Sequence, residues 1–430
     1  MQTGEGLLKF CAIFLISLAA GVALAQDTTA DSQTRTTPLT LASGLLEHDF
    51  VNFYLFGNGI YDTETASGSP NVTSLGEEVG GGISASHLFR DGSLSLSYRG
   101  AYRNYSNSTF SSGTDQNLSF GISKQLTKRW GISFYQAAGI YLYGGTYFSV
   151  EPVGSNFVET NPFSPETKFL SSGLSVTYQQ TRRLSYSFSG DFFLNRYNYG
   201  GAIGTTGTAG TATMQYRVTR RTTVGGGYSR SYYVFQHSAG SLQADSYFLT
   251  LSHQFSNRWN ASVSAGATRT NNVGSILIPV SFITNGQITT GYVTGHYNVT
   301  TTFPSFSGSV THNFHRTSLS VNAGEGLSPG NGFLISSRSF YVNGFYSYSM
   351  RGSSLGFGGT YTRYTSIANS VSSAFTTVSF VASYSRVLTR YFGVNVNYSL
   401  INYPQFGGRS DNRITFGAFF SSKSIPITLF

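Results

Sequence analysis

Side chains able to do acid–base, nucleophilic or metal chemistry are present, but they are not spaced for it. Seven histidines occur, His48, His87, His237, His253, His296, His312 and His315. Only His312 and His315 are close, and three residues apart on an extended strand they point to opposite faces. Serine is abundant, yet no G-x-S-x-G is present, and acids are scarce in the serine-rich segments, which disfavours a Ser–His–acid arrangement. Gly80-Gly81-Gly82 and Gly225-Gly226-Gly227 open neither a G-x-G-x-x-G nor a G-K-[ST] phosphate loop. The single cysteine, Cys11, sits in an apolar N-terminal run, so neither a thiolate metal site nor a disulfide is available beyond that run. The expectation is a protein that is not an enzyme and carries no metal or cofactor.

The charged residues that do stand out lie within alternating segments. Leu94, Leu96, Tyr98 and Tyr102 alternate with Ser95, Ser97, Arg99 and Arg103. In residues 181–195 (TRRLSYSFSGDFFLN), Leu184, Tyr186, Phe188, Phe192 and Leu194 share one parity. Ser185, Ser187, Ser189, Asp191 and Asn195 share the other, with Phe193 the exception. A period of two is the strand signature. A run of about 10 residues is long enough to cross a bilayer as a tilted strand. An Arg or Lys facing lipid at midplane costs roughly 2–4 kcal/mol, so Arg99, Arg103, Asp191 and Arg217, all on polar parity, belong in a wet lumen. They line a pore there, or pack in the lumen against acids.

These strands must be held by something repeated. Short turns punctuate the chain at Arg90-Asp91-Gly92, Thr127-Lys128-Arg129, Thr181-Arg182-Arg183, Thr219-Arg220-Arg221, Ser256-Asn257-Arg258, His315-Arg316-Thr317, Arg351-Gly352-Ser353 and Thr389-Arg390. Their modal spacing is about 37 residues. An internal period of that kind is read before local detail. Each interval holds two alternating runs and one polar loop, which is one long hairpin of an up-and-down barrel rather than a four-stranded propeller blade. The count gives an all-β, transmembrane, antiparallel barrel of about 18 strands, within a range of 16–20. Residues 271–302, with Asn285-Gly286 as turn, read as a hairpin above the rim; if they crossed the membrane the count would be 20.

Composition agrees. The 430 residues include 50 Gly, 29 Tyr and 35 Phe, and only 10% are charged. A soluble domain carries about 25% charged residues. The net charge of +9 raises nucleic-acid binding, but the basic residues are scattered over turns instead of forming one patch, which excludes it. Residues 1–25 read as a secretory signal, with Lys9, an apolar run at 10–18 and Ala23-Leu24-Ala25 before Gln26. Residues 26–48 read as a flexible periplasmic leader, and 49–430 as the barrel.

The signal, the cysteine-free hairpin repeats, the aromatic-rich strands and the terminal Phe430 resemble Gram-negative outer-membrane β-barrel proteins of porin-like build. That resemblance implies placement in the outer membrane with its lipid and lipopolysaccharide. It implies insertion by the barrel assembly machinery, with Phe430 as the recognised terminal aromatic, and a homo-oligomer as one assembly state. It implies a passive channel for small hydrophilic solutes. Two further functions stay open, a conduit associated with exopolysaccharide export and a closed structural or surface-interaction barrel.

The long connection at 149–166 carries Glu151, Glu159 and Glu166. In many porins such a loop folds into the barrel and opposes acids to a basic wall. Here the wall would be Arg99 and Arg103, and a transverse field across the gap would select polar solutes.

Overall fold

The computed structural model describes residues 50–422 except 66–70, 109, 143–165, 199–202, 237–239, 285–286, 329–335, 368–373 and 406–407. The signal and leader segments, Glu151, Glu159, Asn285-Gly286 and Phe430 therefore lie outside the described residues.

The strands are β1 (Phe50–Thr65), β2 (Val72–Phe89), β3 (Gly92–Tyr105), β4 (Gly113–Gln125), β5 (Trp130–Leu142) and β6 (Glu166–Gln179). They continue as β7 (Leu184–Tyr197), β8 (Thr205–Arg217), β9 (Thr222–Phe235), β10 (Gly240–Gln254), β11 (Trp259–Thr284) and β12 (Gln287–Asn313). The last six are β13 (Thr317–Ser328), β14 (Ser337–Met350), β15 (Ser353–Ser366), β16 (Ala374–Val387), β17 (Phe392–Tyr403) and β18 (Arg409–Ser421). Each pairs antiparallel with the next, and β1 closes on β18 from Tyr54↔Ser421 to Thr65↔Ser410. The result is an 18-stranded closed barrel, with each strand of the wall paired on both sides.

All eight short turns identified in the sequence join the even strand to the next odd one, so they gather at one end of the barrel. Five share one construction. The hydroxyl of Thr127, Thr181, Thr219, Ser256 or Thr389 accepts backbone N–H groups two and three residues on, at 3.0–3.4 Å. A side-chain hydroxyl replaces the backbone partner that the turn lacks. The basic residues inside the turn are left pointing out.

Parity holds around the wall. On β3, Leu96, Tyr98 and Tyr102 are outward and exposed, whereas Ala101, Arg103 and Tyr105 are inward and buried. On β10, Tyr247, Leu249 and Leu251 face out, with Leu249 71% exposed. Facing water, this continuous apolar exterior would be a large unpaired patch. Facing lipid, it is the band that a transmembrane barrel presents. Aromatics collect on the outer face near the short turns, as in Trp130–Tyr178 and Trp259–His312, with ring centroids 4.6 and 4.2 Å apart.

The inner face is not uniformly polar. Phe193 does point inward, and it packs with Tyr233, Phe235 and Leu242 in a buried cluster. Phe56 lies over Gly80 of β2, where an added Cβ would come within 2.6 Å of its ring. That glycine is required by close packing, which is what the Gly80-Gly81-Gly82 run serves.

Residues 271–302 do not add strands to the wall. β11 and β12 pair without interruption from Trp259↔His312 to Thr284↔Gln287, while β12 pairs with β13 only from Phe306 to Asn313. The hairpin thus runs on past the barrel wall, as the sequence pattern indicates. His312 lies on β12 and His315 in the turn after it, and His312 stacks on Trp259.

Candidate functional site: a charged wall in the lumen

Alternation brings the inward charges of five adjacent strands, β18, β1, β2, β3 and β4, onto one wall. Arg99 and Arg103 sit four residues apart on β3, so both face inward at successive levels. The register sets Arg103 opposite Glu78 of β2. Glu78 takes both guanidinium groups, at 2.8 Å from Arg99 and 3.2 Å from Arg103. Arg103 also reaches Asp115 of β4 at 3.0 Å. The other oxygen of Asp115 accepts the backbone N–H of Leu142 at 2.6 Å.

A second group sits beside the first. Asp62 of β1 pairs with Arg413 of β18, its register partner, through Nε at 2.8 Å and a second nitrogen at 2.5 Å. Tyr105 of β3 donates to the same carboxylate oxygen at 2.9 Å. One step along, Arg409 pairs with Glu64 at 3.0 Å, and Asp411 is the register partner of Glu64. Asp62, Glu78, Arg103, Asp115, Asp411 and Arg413 are all buried. Buried charges persist only when paired and hydrogen-bonded, and Asp62, Glu78, Arg103, Asp115 and Arg413 are held in such pairs. Arg99 is the member that extends into the open, with its side chain 30% exposed and its guanidinium 4.8 Å above the Phe56 ring.

The remaining sequence candidates lie elsewhere. Asp191 is inward on β7 and accepts the Tyr135 hydroxyl at 3.1 Å. Arg217 is inward at the short-turn end of β8 and lines a recess with Arg182 and Arg183. Glu166 opens β6 on outward parity and pairs with Lys168 at 3.0 Å. The structure does not bring Glu166 to the Arg99–Arg103 wall.

Sequence reading missed the acids, Asp62, Glu78, Asp115 and Asp411, and with them Arg413 and Tyr105. The signal was present in parity. Arg413 alternates with the outward Ile414 and Phe416, and Glu78 shares parity with Ser84 and Ser86. Among the described residues no group of three His, Cys, Asp or Glu side chains is set to hold a metal ion. Chemically, the wall offers fixed, paired charges of both signs with one guanidinium reaching into the lumen.

No protein-family model matches the chain, and no curated protein matches it. Among solved structures, it is similar to Pseudomonas aeruginosa OccK2 (OpdF) in complex with glucuronate at 10% identity, covering 88% of this chain and 99% of that one, with a TM-score of 0.43. It is similar also to Pseudomonas aeruginosa OccK5 (OpdH) at 11% identity, covering 89% and 100%, with a TM-score of 0.40. A BenF-like porin from Pseudomonas fluorescens Pf-5 is similar at 10% identity, covering 88% and 100%, with a TM-score of 0.43.

Proposed function

We propose that the protein is an outer-membrane channel for small polar solutes, with selectivity set by the β18–β4 charged wall. The observation that carries this reading is the two-faced barrel itself. Its exterior is an exposed aliphatic and aromatic band, and its interior carries ion pairs, hydroxyls and amides. Only a lipid exterior and a wet interior satisfy both faces at once. An 18-stranded barrel is wide enough for an aqueous passage unless its interior is filled.

Burial along the lumen supports a narrow upper half. Asp62, Leu242, Thr270 and Asn272, all inward and far from the short turns, are fully covered at 0% exposure. Inward residues near the short turns, such as Ser95, Ser185 and Gln215, are only half-buried. The selective region therefore falls level with the charged wall.

Sidedness follows the connections, with short turns facing the periplasm and long ones the cell exterior. Lipopolysaccharide around the outer rim and the barrel assembly machinery are the partners this location supplies. Liposome swelling with sugars and amino acids of graded size tests the reading. Swelling that falls off with solute size supports a channel, and folded protein that admits none supports a closed structural barrel instead.

A further inference from the structure

The wall accounts for the lumen but not for the basic residues of the short turns. Every one of the eight turns carries a Lys or Arg, and Asp91 is the only acid in them. Among the described residues, no carboxylate lies within ion-pair distance of Lys128, Arg129, Arg182 or Arg183. Unpaired cations of this density on one rim repel one another and call for a partner of opposite charge.

Geometry narrows the partner. The recess of about 250 Å³ at Lys128, Arg129, Arg182 and Arg183 opens mainly toward the lumen, since Gln125, Gln179, Ser185, Gln215 and Arg217 line it, but Tyr178 and Tyr186 stand beside the same turns. Those two rings belong to the outer aromatic band, with centroids 6.4 Å apart, and the Trp130 ring packs at a tilt against Tyr178. A recess of about 720 Å³ two turns along lies on the outer face instead, among turn residues and outward side chains. There Arg221 and Arg258 line the recess with Trp259, His312 and Phe314, and the Arg258 guanidinium lies 4.4 Å above the Phe314 ring. In both places cations sit just beyond lipid-facing aromatics. An aromatic band marks the interface between hydrocarbon and headgroups, so the cations stand at phosphate depth. The distribution around the perimeter also fits an annular partner better than a solute on the barrel axis.

We propose that the short-turn rim binds the phosphate groups of anionic phospholipids, in the leaflet that surrounds that end of the barrel, and that the recess at Arg221 and Arg258, beside Trp259 and Phe314, is one headgroup site. The proposal rests on the membrane-spanning reading given above. Arginine suits the role because its planar fork takes phosphate oxygens in pairs. The hydroxyl-closed turns contribute by fixing the backbone from which these side chains project.

The test is native mass spectrometry of the full-length protein, released from mixed micelles of phosphatidylglycerol and phosphatidylcholine. The wild-type barrel retains phosphatidylglycerol preferentially, and added salt weakens the preference. A variant carrying Arg221→Gln and Arg258→Gln loses much of it, by about fivefold for each charge that acts at the surface. Arg221→Lys with Arg258→Lys keeps it, which separates loss of charge from damage to the turns. Inorganic phosphate at matched concentration leaves the lipid bound. Equal retention of the two lipids by the wild-type protein overturns the proposal, as does full displacement by inorganic phosphate, which would make the recess a site for free anions. A protein that inserts into vesicles without lipid preference defeats this proposal alone, whereas one that never enters vesicles defeats the membrane reading as well.

Discussion

The phenol of Tyr105 reaches across the full width of β2 and donates to Asp62 on β1 at 2.9 Å. It can do so because Gly76, on the strand between, has no side chain. A Cβ there would sit 2.7 Å from Cδ1 and 2.8 Å from Cε1 of the ring. One missing methyl group thus lets three strands share a contact and secures the Asp62–Arg413 pair from the β3 side.

Gly76→Ala is therefore expected to destabilise the barrel by about 1–3 kcal/mol, the usual cost of forcing an atom into a filled site. The midpoint of urea unfolding from vesicles measures it. In a Tyr105→Ala background the same Gly76 substitution costs little, because the two positions are in contact and their effects are not additive. Additive losses would show that the ring does not depend on the glycine.

Removing one partner of the Asp62–Arg413 pair strands a buried charge. Arg413→Met should cost about 3–5 kcal/mol, and adding Asp62→Asn should recover part of that loss. Unfolding midpoints of the single and double variants decide this, and a double variant worse than the single one counts against the pairing.

Register is tested on adjacent residues. Leu96 is outward and 40% exposed, whereas Ser97 is inward. Leu96→Asp places a carboxylate toward lipid and should sharply lower the yield of folded, heat-modifiable protein, while Ser97→Asp is tolerated in the wet lumen. Equal yields would mean that β3 is turned over.

The strand parity, the turn positions and the count of 18 were legible in the sequence because each is a local pattern. Arg99 and Arg103 were placed on the lumen side by parity alone. Their partner Glu78 was not legible, since which residue of β2 stands opposite Arg103 depends on hairpin register and not on either strand by itself. Asp62 and Arg413 are harder still, being 351 residues apart and joined only by closure of β1 on β18. Phe193 breaks the polar parity because part of the lumen is packed with rings, and their partners, Tyr233 and Leu242, come from other strands.

Topology can be read from the outside. A bulky, impermeant thiol reagent applied to intact cells should label Gln405→Cys in the β17–β18 connection and spare Arg183→Cys in a short turn. The reverse pattern would place the short turns on the cell surface.

The central claim is that an open lumen carries ions past a wall of fixed charge, and reversal potential across a planar bilayer under a salt gradient tests it most directly. Arg99 is the exposed cation of that wall, and Glu78 is the acid that balances it. Relative to the wild-type channel, Arg99→Gln should shift the reversal potential toward cation preference, and Glu78→Gln should shift it toward anion preference. Opposite shifts in discrete, single-channel currents are the predicted result; identical reversal potentials for all three proteins, or folded barrels that pass no current, would contradict it.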